Sequence, residues 1–215
     1  MESTLKITEI FYTLQGEGPL SGKPCIFIRL WGCNLNCKWC DTQYAKEQKN
    51  YTIWNIQKIL DYIFSYYPQI KYITITGGEP LLQEKPLLLL IEKLLEKKYL
   101  VSIETNGSIS IKNLPKEVLK IMDIKTPSSN MHSFNYYENV KFLTKNDAIK
   151  FVIANKNDFE WSIKKCEELK LFSVCEVFFS PVWKRLSGKT LAKWILSHKL
   201  PIRLNLQLHK ILKLP

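Results

Sequence analysis

Apolar residues recur along the chain in two rhythms. Short runs rich in Ile, Val, Phe and Tyr occupy Cys25–Leu30, Tyr72–Thr76, Leu100–Glu104, Leu119–Ile124, Ala148–Ile153, Cys175–Phe179 and Ile202–Leu206, after an opening extended segment at Ile7–Leu14. β-Branched and aromatic residues in runs of this length predict strands. Between them, Ile53–Tyr66, Lys85–Lys98, Asp158–Leu169 and Lys189–His198 carry the three-and-four spacing of amphipathic helices. In the second of these, Leu87, Leu88, Ile91, Leu94 and Leu95 fall on one stripe, while Glu92, Lys93, Glu96 and Lys97 face away.

Strands alternating with helices predict an α/β fold with a mostly parallel sheet and right-handed crossovers. There are too few units for a closed eight-stranded barrel. The expected form is a partial (β/α) barrel of about six to seven mostly parallel strands, a single domain spanning residues 1–215. Between two of the strands, Lys112–Lys120 is too short for a crossover helix, so the helical layer is expected to be trimmed there. No repeat, low-complexity segment or Gly/Ser-rich linker divides the chain.

Composition narrows the class. A chain of 215 residues with 46% hydrophobic content buries enough surface to fold without disulfides. No apolar run approaches the roughly 20 residues that span a bilayer, and the start lacks a basic stretch followed by an apolar one. A cytoplasmic protein without membrane contact is expected. The net charge of +11 raises the question of nucleic acid. Arginine, however, appears only at 29, 185 and 203, and the lysines are spread without a long run. They read as a solvated surface that still attracts an acidic small molecule. Phe and Tyr fall within the strand and helix patterns, as core residues do, which speaks against a basic iron–sulfur protein that binds RNA by interleaved aromatics.

The unusual residues gather where strands end. The cysteine loop follows the first parallel strand, Gly77-Gly78-Glu79-Pro80 the second, Glu104-Thr105-Asn106-Gly107 the third, and Lys125 the fourth. Carboxyl ends of parallel strands are where α/β enzymes assemble their sites. Cys25, Cys166 and Cys175 are isolated and read as small buried residues. Cys33, Cys37 and Cys40 are spaced Cys-x3-Cys-x2-Cys. Structural zinc wants four protein ligands, and the next histidine is His132, so a zinc knuckle would have to borrow a distant ligand. Three thiolates on a [4Fe–4S] cluster leave one iron open to a small molecule.

That spacing is similar to the radical S-adenosylmethionine superfamily, and Gly77-Gly78-Glu79 resembles its glycine-glycine-glutamate motif. Within the superfamily, several segments resemble the 7-carboxy-7-deazaguanine synthases. They are Glu9-Ile10-Phe11-Tyr12-Thr13-Leu14-Gln15-Gly16-Glu17-Gly18, Phe27-Ile28-Arg29-Leu30, Cys40-Asp41-Thr42, Thr76-Gly77-Gly78-Glu79-Pro80, Glu104-Thr105-Asn106-Gly107 and Gln207-Leu208-His209-Lys210. The resemblance implies a carbon–nitrogen lyase that contracts 6-carboxy-5,6,7,8-tetrahydropterin to 7-carboxy-7-deazaguanine with loss of ammonia, in queuosine precursor biosynthesis. It implies a [4Fe–4S] cluster on Cys33, Cys37 and Cys40, S-adenosylmethionine, and Mg²⁺ at Thr42. The cofactor is expected against Trp39, Cys40, Asp41, Gly78, Glu104, Asp123, Ile124 and Lys125, and the pterin against Leu14, Gln15, Gly16, Arg29, Thr76 and Pro215. Arg29 suits a carboxylate; Pro215 would present the chain's last carboxylate to the pterin N–H groups. The alternatives are a surface strand charge for Arg29, a turn residue for Gln15, a helix cap for Thr42 and a frayed end for Pro215. A homodimer and an electron donor such as flavodoxin or ferredoxin are also implied. One departure stands out: the family's Ser-Pro-Lys is Asp123-Ile124-Lys125 here. An Asp-Ile-Lys strand end also resembles glycyl-radical-enzyme activases, which share the cysteine loop.

Overall fold

The computed structural model describes residues 3–215. Strand β1 (Thr4–Leu14) pairs antiparallel with β2 (Pro24–Leu30) and, at its start, with β3 (Thr52–Asn55). Then α1 (Ile56–Tyr66), β4 (Tyr72–Gly77), α2 (Glu84–Glu96), β5 (Leu100–Thr105) and β6 (Leu119–Asp123) follow. The chain continues through β7 (Ala148–Ile153), α3 (Lys156–Glu168), α4 (Leu171–Val174), β8 (Glu176–Pro181), α5 (Gly188–His198), β9 (Ile202–Leu204) and α6 (Leu208–Leu212).

Among the described residues these strands form one sheet of nine, ordered β3-β1-β2-β4-β5-β6-β7-β8-β9. From β2 onward every neighbour is parallel. The sheet is open, ending on β3 and β9. The partial barrel is therefore present, with seven parallel strands, β2 and β4 to β9, and an antiparallel pair added at one edge. Only short turns link β5 to β6, where the sequence left no room for a helix.

Several boundaries differ from expectation by one to three residues, two of them for reasons the side chains show. The stretch read as one helix from Ile53 splits into β3 and α1, because the Asn55 side chain accepts from the Lys58 amide and starts the helix there. The last strand stops at Leu204, and Asn205 turns its side chain inward to bond Gly18 and Ser180.

The main core lies between the sheet and the helices. Ile59 and Ile63 of α1, Leu87, Leu90, Ile91 and Leu94 of α2, Phe159 of α3 and Leu191 of α5 are buried against it. The inner face has a small apolar floor of Ile121, Ala148 and Phe178. In β7 the alternation is complete: Ile149, Phe151 and Ile153 join the main core, while Lys150 and Val152 point to the other side.

The lysines are not all on a solvated surface. Lys120 is fully buried, with its ammonium 2.9 Å from the Val118 carbonyl and 3.6 Å from Asp147. Lys125 and Lys150 are largely buried among carboxylates. Nor are all the aromatics core: Tyr12, Tyr66, Phe134 and Tyr136 are exposed.

Candidate active site

Two glycines at the end of β4 let that strand pass directly beneath the cysteine loop. A Cβ on Gly78 would lie 2.2 Å from the Gly32 carbonyl oxygen and 2.6 Å from Cys33 Cβ; on Gly77 it would lie 2.2 Å from the Leu30 oxygen. No other residue permits this approach. The Glu79 amide then donates to the Gly32 carbonyl at 2.7 Å. Its buried carboxylate accepts from the Leu81 amide, the Thr105 hydroxyl and the Asn106 amide. Burial raises the Glu79 pKa, and these bonds oppose the rise. Asn106 carries the link onward, donating to Asn34 at 3.0 Å and approaching Cys33 Sγ at 3.7 Å. The glycine motif and the Glu-Thr-Asn-Gly motif thus act together to fix the cysteine loop.

Cys33, Cys37 and Cys40 line one cavity of about 610 Å³. Cys25, Cys166 and Cys175 are buried elsewhere, as expected. Among the described residues no three His, Cys, Asp or Glu side chains converge as they do on a single metal ion. Three thiols lining one cavity suit a cluster, in which each thiolate takes its own iron and one iron stays open. Burial pushes the Cys37 thiol up, against the pull of Lys125, so iron binding would release its proton.

A chain of alternating charges lines the same cavity and reaches Cys37 through Lys125 and Asp123. Lys150 donates to Glu17 at 2.8 Å and lies 3.5 Å from Asp123; Lys125 holds the other Asp123 oxygen at 2.6 Å. Glu17 also accepts from Asn205 at 2.9 Å and Gln207 at 2.8 Å. Burial alone would raise the Glu17 pKa. The Lys150 charge and the bonds from Gln207 and Lys150 overcome it and hold Glu17 at about 2. Lys150 is pushed well up: burial opposes this, but Asp123, Glu17 and Glu104 outweigh it. Glu104 is raised by burial despite Lys150, and its oxygens accept from Gln15 and Thr76.

At the mouth, Arg29 is 12% exposed and bonds Glu9 at 2.7 Å, with Tyr44 donating to the same carboxylate at 2.7 Å. Its guanidinium sits over the Phe11 and Tyr44 rings. The surface-charge alternative is excluded by this burial. The carboxylate that Arg29 holds is, however, the protein's own Glu9. Burial and the bond to Glu9 push the Tyr44 hydroxyl up to about 12. The far wall comes from the chain's last elements: the Leu208 amide donates to the Gly16 carbonyl, Lys210 bonds Asp41 at 2.5 Å, and Pro215 lines the cavity.

The sequence-derived residues therefore meet in one place. Leu14, Gln15, Gly16, Arg29, Thr76 and Pro215 all line the cavity. So do Trp39, Cys40, Asp41, Thr42, Gly78, Glu104, Asp123 and Lys125. Ile124 is the exception: it is buried in the main core, and its amide donates to the Lys150 carbonyl. Gln15 is buried and bonded to Thr74 and Glu104, so it is no simple turn residue. Thr42 precedes a short turn but caps nothing. Tyr44, Lys150 and Asn205 escaped sequence reasoning. Lys150 alone left a trace, as a lone charge inside an apolar strand.

The profile of the Radical SAM superfamily matches residues 30–179. With the open parallel sheet and the cysteine loop at its carboxyl edge, this makes the chain a radical S-adenosylmethionine enzyme. A 7-carboxy-7-deazaguanine synthase of Koribacter versatilis is 38% identical, covering 98% of this chain and 98% of its own. One from Clostridium acetobutylicum is 40% identical, covering 96% and 95%. The crystal structure of QueE from Escherichia coli superimposes with a TM-score of 0.79 at 22% identity, over 96% of this chain and 95% of that one. The chain belongs to the family of the 7-carboxy-7-deazaguanine synthases.

Proposed function

We propose that the protein converts 6-carboxy-5,6,7,8-tetrahydropterin to 7-carboxy-7-deazaguanine with loss of ammonia, in queuosine precursor biosynthesis. The observation that supports this best is that the three thiols line one cavity together with Gln15, Arg29 and Glu104. When bound, a cluster and S-adenosylmethionine supply a carbon radical that abstracts hydrogen. The chain's own work is holding, orienting and excluding water.

Cys33, Cys37 and Cys40 would hold the cluster, and Trp39, Asp41, Gly78, Asp123 and Lys125 would hold the cofactor. Glu104, held by bonds from Gln15 and Thr76, would offer carboxylate acceptors to the N–H groups of a flat pterin edge, with Gln15 fixed beside it by Thr74. Arg29 would exchange Glu9 for the pterin carboxylate, keeping a bidentate-capable guanidinium paired throughout. Thr42 Oγ1, 3.7 Å from Cys40 Sγ, offers one hard oxygen to Mg²⁺, which keeps water and substrate oxygens as its other ligands.

The activase alternative needs a groove open to a protein loop. Here α6 and Pro215 stand over the cavity, which favours a small substrate. An anaerobic assay of the cluster-loaded protein with the tetrahydropterin, a reductant and S-adenosylmethionine tests the proposal. Product appears as the ultraviolet absorption of the deazaguanine. Cleavage of the cofactor with no such product would reject it.

A further inference from the structure

Lys150 stands where two sets of contacts meet. It is 12% exposed and enters the cavity from the middle of β7. On one side is Glu17, bonded to Gln207 and Asn205 in the wall beside Gln15 and Gly16. On the other is Asp123, at the end of β6. The two Asp123 oxygens are not equivalent. Lys125 takes Oδ2 at 2.6 Å, while Oδ1 is buried and accepts no hydrogen bond. Lys150 is 3.5 Å from Oδ1, a charge contact but too long for a good hydrogen bond. The ammonium has instead settled on Glu17.

We propose that Lys150 is a positioning residue joining the two walls of the cavity, held off Asp123 Oδ1 by Glu17 so that this oxygen remains free for the cofactor. This rests on the reading that places S-adenosylmethionine against Asp123 and Lys125. If Glu17 lost its charge, Lys150 would move onto Oδ1 and occupy the acceptor. A change at Glu17 therefore reaches the cofactor only through Lys150. The remaining ionisable groups facing Lys150 are Asp41, Glu104, Lys125 and His209, and none of them bonds it directly.

The test is a double-mutant cycle read by equilibrium binding of S-adenosylmethionine to anaerobic, cluster-loaded protein. Glu17→Gln should weaken binding roughly threefold or more in the wild-type background and leave it unchanged in Lys150→Met, the non-additivity expected of side chains in contact. Lys150→Arg, which keeps the charge, should restore the sensitivity to Glu17→Gln. Iron per chain should be equal in all variants. Should Lys150→Met fail to fold, Lys150→Gln, similar in length and uncharged, takes its place. Wild-type binding in Glu17→Gln, or the same loss in both backgrounds, overturns the proposal. Lys125→Met separates this from the underlying reading. If Lys125→Met weakens binding while the cycle is additive, only the role of Lys150 falls; if it binds as wild type, the placement of the cofactor falls and the proposal with it.

Discussion

Gly78→Ala is expected to dislodge the cysteine loop with the smallest possible addition, one methyl group. The new Cβ would stand 2.2 Å from the Gly32 oxygen and 2.6 Å from Cys33 Cβ. Ordinary contact begins near 3.4 Å, so strand and loop must part by about 1 Å. Both neighbours sit at the backbone, so no flexible side-chain tip can yield. Parting them stretches the 2.7 Å bond from the Glu79 amide to Gly32, worth about 1 kcal/mol. Overpacking of this kind adds about 1–3 kcal/mol. A total near 3 kcal/mol should lower Tm by roughly 6–12 °C in a chain of this size. Displacement of Cys33 should also cut iron well below the reconstituted wild-type content. Gly188→Ala is the control, since its Cβ would meet only the tip of the Leu206 side chain, at 2.8 Å. It should melt within about 1 °C of wild type, being a surface change that touches only a movable group. Calorimetry and an iron assay on the two variants decide the matter. Full iron and an unchanged Tm in Gly78→Ala would refute the close-approach reasoning.

Alanine at Cys33, Cys37 or Cys40 should abolish bound iron, whereas serine at Cys25, Cys166 or Cys175 should leave iron per chain unchanged, as an iron assay would show. Arg29→Met should weaken pterin binding by about 1.5–3 kcal/mol while cofactor cleavage survives, since the interaction lost is one with a charged group; parallel loss of both would mean Arg29 serves the cofactor. Glu17 is held at about 2 against an ordinary 4.5, so its contribution to stability is complete above about pH 5 and is lost as pH falls toward 2. It amounts to about 3 kcal/mol, and Glu17→Gln should flatten the acid limb of a denaturation profile across that window. Removing residues 211–215 should weaken pterin binding while leaving the iron content intact, measured by titration of the cluster-loaded protein.

Much of this was legible in the residues because local chemistry repeats there. The β7 run shows itself as an apolar stretch, and the structure keeps its bounds, Ala148–Ile153. The cysteine loop and the Gly-Gly-Glu-Pro turn are contiguous, so their spacing carries their geometry. What the sequence hid is partly local and partly long-range. Asn55 is both the end of β3 and the cap of α1, and the apolar rhythm runs through it without a break. The Leu87 stripe was displaced slightly, since Leu90 is buried while Leu88 and Leu95 are only half so. Lys150 shows only as a charge inside an apolar run, and nothing near it points to Glu17, 133 positions away. No periodicity encodes such a pair.

The wall behind Glu17 also has a consequence for how the molecule is born. From β5 to β9 each strand pairs with the one before it, so the sheet can lengthen in the order in which the ribosome delivers it. The wall cannot. Glu17 emerges early, but its partner Gln207 lies 190 residues later. At synthesis rates of about 5–20 residues per second, that carboxylate waits roughly 10–40 s for it. During this interval the nascent chain carries its cysteines and most of its sheet with the chamber still unwalled, so the scaffold comes first and the enclosure of the reacting centre only after it.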